Sequence, residues 1–77
     1  MIDSLTWNRS NQGALPVYTT HAAGYDLEIS WTTELGWRLQ MWQLRRGNRR
    51  IQFWDKTGYT LEEAKWTAFQ LLGKYIP

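Results

Sequence analysis

Apolar residues near the end of the chain repeat with the period of an α-helix. At about 100° per residue, one helix face collects most of the apolar side chains, namely Leu61, Ala64, Ala68, Leu71, Leu72 and Tyr75. Thr60 is a favoured N-cap residue, and Glu63 three positions later completes a capping box. Gly58 is expected to end the preceding strand and Gly73 to end the helix. The pattern therefore predicts a helix over residues 60–73.

Between residues 17 and 56 apolar positions alternate with polar ones, as in half-buried strands. The alternation is clearest over residues 25–31 and recurs over 37–42 and 50–54, whereas residues 17–21 are rich in strand-forming types. The sequence therefore predicts an antiparallel β-meander of three to four strands, closed by the helix. This is an α+β fold (βββα or ββββα) in which all 77 residues form one small domain.

Before residue 17 the pattern weakens. Residues 1–16 are predicted to form an N-terminal strap or an edge strand, with Trp7 packed on the core. Residues 8–13 (Asn-Arg-Ser-Asn-Gln-Gly) have the composition of a polar loop. The sequence contains neither a signal peptide nor an apolar run of about 18 residues. Together with the lack of cysteine, this predicts a cytoplasmic protein with no membrane partner.

The register of the last predicted hairpin follows from the rule that opposed residues share a face of the sheet. A three-residue loop that opposes Arg45 with Arg49 also opposes Met41 with Phe53 and keeps the apolar face continuous. A two-residue Gly-Asn loop would mix the two faces. We therefore expect the three-residue loop.

One helix covers only one face of the sheet, so the other face (the open face) is expected to remain uncovered. In the expected register Trp42 and Trp54 lie on a diagonal of the open face, where Arg38 and Arg50 are expected to stack on their rings. These tryptophans form either a local cluster, stiffening the sheet or covered by residues 1–15, or a recognition patch for a protein or a nucleic acid.

A basic turn dominates the charge distribution. The chain has a net charge of +2, yet residues 38–56 carry five arginines and one lysine against one aspartate. Arg45, Arg46, Arg49 and Arg50 surround the predicted hairpin turn. The cluster is either a solvated tip that protects the sheet edges from aggregation or a site for anions, since arginine suits bidentate contacts with phosphate and carboxylate.

A second line of residues runs along the predicted helix beside the apolar face. It consists of Glu62, Trp66, Phe69 and Gly73, with Trp66 farthest from the core. Either an N-terminal segment covers Trp66, or Trp66 and Phe69 contribute to a partner surface, since an exposed aromatic side chain on a rigid helix is a common anchor.

Residues that catalyse reactions do not form a recognisable set. The single histidine, His21, has no cysteine to pair with, and Asp26 and Glu28 are a typical solvated pair on one strand. Neither a glycine-rich phosphate loop nor a metal-ligand spacing is present. The sequence therefore predicts a protein that is not an enzyme and has no catalytic, metal or cofactor site.

Four segments together resemble a class of small phage and prophage accessory proteins. They are Leu5-Thr6-Trp7, Tyr25-Asp26-Leu27-Glu28-Ile29, Gly36-Trp37-Arg38-Leu39 and Tyr59-Thr60-Leu61-Glu62-Glu63-Ala64-Lys65. Proteins of this class have a Trp-bearing start, a short meander and a closing helix. The resemblance implies an accessory product that binds a host or defence protein in the host cytosol, as anti-CRISPR proteins do. It assigns no role to the arginine-rich turn or to Trp66.

Three interpretations of function follow. The favoured one is a non-enzymatic module that binds and modulates or inhibits a host or defence protein through the arginine turn and the helix aromatics. The alternative is a DNA- or RNA-binding domain that uses the arginine turn and the Trp-bearing face. A homodimer that hides the open face or Trp66 is the third.

Overall fold

The chain folds into one antiparallel sheet with a single helix packed on its face. The structure, a computed structural model, describes residues 5–13 and 15–75, without the side chains of Gln12 and Tyr75. The predicted α+β class, antiparallel meander and closing helix are confirmed, because the strands pair in sequence order. In chain order the elements are β1 (Asn8–Gln12), β2 (Leu15–Ala22), β3 (Tyr25–Thr32), β4 (Gly36–Arg45), β5 (Arg49–Tyr59) and α1 (Leu61–Tyr75).

The sheet has one strand more than the three to four that the sequence predicted. The additional strand is β1, which pairs with β2 from Asn8↔Thr19 to Gln12↔Leu15. It is an edge strand, one of the two alternatives expected for residues 1–16, although its own residues were expected to form a polar loop. The described side chains of β1 are exposed. Backbone hydrogen bonding to β2 therefore forms this strand without the apolar alternation by which a sequence reveals one.

The N-terminal strap precedes β1. Leu5 and Trp7 are partly buried against the core and belong to no strand, which confirms the predicted packing of Trp7. Residues 1–4 and Ala14, which the prediction placed in the same segment, lie outside the described residues.

The core lies between α1 and the central strands β3 and β4. Its buried side chains alternate along both strands and follow one face of the helix; they are Leu27, Ile29, Leu39, Met41, Ala64, Ala68, Leu71 and Leu72. The two alanines are fully buried, and their small size lets the helix axis approach the sheet closely. Removal of this apolar surface from water is the main term that stabilises the fold.

The helix is shorter than the hairpin it covers. The 15 residues of α1 span about 22 Å, whereas the ten residues of β4 span about 33 Å. Because α1 begins where β5 ends, the other end of the β4–β5 hairpin extends past the helix. The apolar alternation over residues 50–54 predicts that Ile51 lies on the face covered by the helix, but this residue lies near that end and is 46% exposed.

The start of the helix agrees with the sequence prediction, and its end does not. The Thr60 amide donates to Glu63 Oε1 over 2.9 Å and the Glu63 amide donates to Thr60 Oγ1 over 3.1 Å, which confirms the capping box. Gly73 does not end the helix, which continues to Tyr75, because glycine also adopts helical φ. Gly58 does not end a strand but lies within β5, where its φ of +92° accommodates an irregularity in the pairing with β4.

Near its turn the β4–β5 hairpin has the predicted register. Arg45 opposes Arg49, and Trp42 opposes Gln52. The connection is the three-residue 3-10 turn Arg46–Asn48. The odd loop length keeps opposed residues on shared faces, as the parity argument required.

Farther from the turn the register differs from the prediction. Met41 opposes Trp54 rather than Phe53, because the pairing shifts by one residue between Met41 and Trp42. In such a β-bulge two successive residues of one strand face a single residue of its neighbour. Phe53 and Trp54 both pack against the core as a result.

The first prediction concerns how much the capping box stabilises the fold. Thr60→Ala should lower the free energy of unfolding by about 1 kcal/mol, because one helix N–H loses its hydroxyl acceptor. Urea denaturation of both proteins measures the difference. Thr33→Ala in the exposed β3–β4 turn is the matched control and should change it far less; an equal loss in the two variants would contradict the role of the cap.

Candidate partner-binding surfaces

The end of the β4–β5 hairpin extends beyond the rest of the sheet. β3 pairs with β4 only as far as Tyr25↔Gln43, and a last hydrogen bond joins the Leu44 amide to the Gly24 carbonyl over 2.8 Å. Every residue of the segment 44–52 is exposed. We call this two-stranded segment the arm.

Three of the arginines that were predicted as site residues lie at the tip of the arm, where no described carboxylate pairs with them. Arg45 and Arg49 oppose each other directly, and Arg46 begins the turn. Within the described residues none of the three forms an ion pair. Directly opposed like charges destabilise a sheet, so the arm retains an electrostatic cost that the fold itself does not offset.

Two exposed apolar residues accompany these arginines, and the sequence analysis assigned neither to a site. Leu44 is 41% exposed and Ile51 46%. Ile51 opposes Gln43 and so lies on the same face of the arm as Arg45 and Arg49. The exposure of Ile51 could have been found from the sequence, because a helix of the predicted length is too short to reach the end of the hairpin where Ile51 lies.

Arg50 differs from the other arginines of the turn because the open face binds it. Its guanidinium lies 4.2 Å from the centre of the Trp42 ring, which confirms the predicted stacking. Arg50 Nη1 also lies 3.3 Å from Asp26 Oδ2, and His21 Nδ1 lies 3.5 Å from Asp26 Oδ1. Arg50 is therefore partly neutralised within the chain.

Arg38 does not stack on Trp54 as the sequence predicted. It binds Asp55 in a bidentate ion pair instead, with Nε donating to Oδ1 over 2.7 Å and Nη2 to Oδ2 over 2.6 Å. These hydrogen bonds lower the pKa of the Asp55 carboxyl and raise the pKa of Arg38. The bulge brings this pair together, because it places Asp55 rather than Trp54 opposite Gln40.

Trp54 does not lie on the open face, contrary to the prediction. The bulge turns it to the side of Met41, where it packs against the core. Lys56 Nζ, 4.4 Å from the ring centre, covers it. Trp42 and Trp54 therefore form no diagonal pair, and Trp42 remains on the open face with Arg50.

The open face is mixed in charge. Its arginines are accompanied by Asp26, Glu28 and Asp55, which the register places on the same side. An open groove of about 560 Å³ runs between this face and the strap, with His21, Asp26 and Trp42 among its lining. The carboxylates make this face a poor surface for polyanions.

Comparison of the chain with protein-family models, with curated proteins and with solved structures gives no match. The described residues contain no group of three or more histidine, aspartate or glutamate side chains placed to hold a metal ion. In the same part of the chain, α1 is neither long nor apolar enough to cross a membrane.

The aromatic residues of the helix form a separate surface. Trp66 is 64% exposed, and its ring lies nearly parallel to that of the half-buried Phe69, with centroids 6.3 Å apart and an interplanar angle of 17°. Trp66 thus lies far from the core, as predicted. We call the line of Glu62, Trp66, Phe69 and Gly73 the helix ridge. The predicted site residues therefore separate into the arm, the open face and the helix ridge, with Trp54 in none of them.

The second prediction concerns the pH dependence of the stabilisation by the Arg38–Asp55 pair. The pKa of Asp55 lies below its ordinary value in the folded protein, so its carboxylate stabilises the fold above that ordinary value and loses the effect as pH falls through the folded pKa. Because the pair is partly exposed, Asp55→Asn should cost under about 1 kcal/mol at neutral pH.

Urea denaturation at several pH values measures this difference. It should shrink toward zero in acid, below the ordinary pKa of an aspartate. Glu34→Gln in the exposed β3–β4 turn is the control for removing one carboxylate. A cost for Asp55→Asn that is the same at pH 7 and at pH 2 would contradict the assignment.

Proposed function

We propose that the protein is a non-enzymatic binding module that attaches through its arm to an acidic surface of another protein. One observation carries this proposal: Arg45, Arg46 and Arg49 are exposed together on the arm, with no ion pair among the described residues. A partner carboxylate would neutralise the opposed arginines and offset the repulsion between them.

The contrast with the other arginines supports a partner. Arg38 and Arg50 each have an aspartate placed against them, whereas the three arginines of the tip have none within the described residues. The tip alone therefore offers charge that a second molecule can neutralise.

The apolar residues of the arm favour a protein as the partner. Ile51 shares a face with Arg45 and Arg49, and Leu44 lies exposed on the opposite face. Arginine is enriched at protein interfaces, and the exposed apolar side chains beside it add surface that a protein partner can bury.

Nucleic-acid binding fits the same surfaces less well. Single-stranded nucleic acids need exposed aromatic rings as stacking platforms, but Trp54 packs against the core and Arg50 already lies over Trp42. The carboxylates of the open face would also repel phosphates. The arginines of the tip suit phosphate as well as carboxylate, so the experiment below distinguishes the two partners.

The resemblance to phage accessory proteins supports a host or defence protein as the partner. Binding would then modulate or inhibit that protein in the host cytosol by covering its acidic surface. This part of the proposal rests on the resemblance, whereas the choice of the arm rests on its exposure and charge.

Affinity capture from a nuclease-treated lysate of the native cell tests the proposal. The variant Arg45→Gln/Arg46→Gln/Arg49→Gln should lose the captured protein and bind it at least tenfold more weakly in a two-component titration, since each charged hydrogen bond contributes about 1.5–3 kcal/mol. Circular dichroism checks that the variant is folded.

A matched control removes the same charge elsewhere, through Arg9→Gln/Lys56→Gln/Lys65→Gln, and should capture as the original protein does. Equal capture by the arm variant would contradict the proposal. Capture that disappears on nuclease treatment, together with steep salt dependence on a DNA or RNA probe, would replace the protein partner with a nucleic acid.

A further inference from the structure

Gly73 has no structural reason within the described chain to be a glycine. It lies inside α1, exposed to solvent and without the positive φ that favours glycine elsewhere in the chain. Apart from the backbone of its own helix, a Cβ built at this position would meet no described atom within 4 Å. Glycine disfavours a helix more than any other residue except proline, so the reason for a glycine here lies outside the described residues.

Gly73 lies on the helix ridge, seven residues after Trp66. Seven residues advance a helix by about 10 Å and return to within about 20° of the same direction. The ridge therefore carries a large protruding side chain, Trp66 at 64% exposure, and a notch two turns farther along. A protrusion and a notch on one line are self-complementary when a second helix lies antiparallel.

We propose that the helix ridge is a dimer interface, in which the α1 helices of two copies pack antiparallel about a two-fold axis. The axis passes between Phe69 and Gln70, midway between Trp66 and Gly73. Each Trp66 then lies over Gly73 of the other copy, where the missing side chain leaves room for the indole ring. Phe69, stacked on Trp66, contributes apolar surface near the axis.

The charges of the helix favour the antiparallel direction and a second copy as the occupant. Glu62 and Glu63 lie in the first turn of α1. Antiparallel packing keeps the two acidic first turns apart, and it opposes the two helix dipoles favourably. Parallel packing would bring like charges together.

The interface involves one helix from each copy, so it is smaller than the roughly 800 Å² per partner of a stable complex. We therefore expect a concentration-dependent dimer with a Kd on the order of 10⁻⁵–10⁻⁴ M. The ridge shares no residue with the arm, so the dimer would present two arms at once. Two arms would strengthen attachment to a partner that has two acidic sites.

Sedimentation equilibrium of the full chain, up to about 1 mM, tests the proposal. The original protein should shift from monomer to dimer with rising concentration. Trp66→Ala should weaken association at least tenfold because it removes the protruding side chain. Leu35→Ala truncates a 60%-exposed leucine that lines a groove with Arg38 and Asp55 and is not part of the ridge, so it should leave association unchanged.

Gly73→Gln gives the sharper test because its two effects have opposite signs. It should raise the melting temperature of the monomer, measured in dilute solution, since glutamine is the better helix former and the position is open. It should also weaken dimerisation at least tenfold, because it fills the notch. A destabilised fold therefore cannot be the cause of the lost dimer.

Three results would overturn the proposal. They are a strict monomer at 1 mM, unchanged association of Gly73→Gln, and a loss with Leu35→Ala equal to that with Trp66→Ala. The glutamine variant of the arm should dimerise as the original does, so failure of the dimer and failure of the partner-binding arm are observed separately. Lost association in that variant alone would assign the interface to the arm instead.

Discussion

The packing of one short helix on the β3–β4 face is the constraint on which the rest of the structure depends. Ala64 and Ala68 bring α1 close to Leu39 and Met41, and the cluster of buried apolar side chains lies there. The helix has only one apolar stripe and spans about 22 Å. The hairpin beyond its end, the far face of the sheet and the outer face of the helix are therefore left to solvent, and these are the surfaces that can bind.

The charges on these surfaces differ in how far the described chain neutralises them. The aspartates at 26 and 55 accept hydrogen bonds from Arg50 and Arg38, so the open face is close to electrostatic balance within the chain. At the tip of the arm, opposed arginines have no such neighbours among the described residues. Local repulsion of this kind weakens a two-stranded ribbon, and a second molecule that supplies carboxylates relieves it. This contrast in charge is the basis on which we propose the arm as the binding surface.

The features that the sequence did not predict correctly are set by backbone geometry, which residue composition does not reveal. Strand β1 has exposed side chains and is formed by backbone hydrogen bonds to β2, so no apolar period reveals it. Gly73 was assigned to a helix end because glycine favours such positions, yet the same freedom allows helical φ. Trp54 follows strict alternation onto the open face until one extra residue in β5 reverses its direction. A bulge changes which side chains contact each other, and the residue types of the strand do not reveal it.

The sequence by itself indicated the four strands β2 to β5, the helix α1 and the order in which these strands pair. Periods of two and 3.6 in the apolar residues specify which faces must be buried, and the Thr60–Glu63 box specifies where the helix begins, because both depend only on neighbours along the chain. Only the tertiary structure decided that Trp54 packs against the core, that Asp55 meets Arg38, and that residues 44–52 extend past the helix as an exposed arm. Those outcomes depend on the register and relative lengths of packed elements, which residues distant in sequence set together.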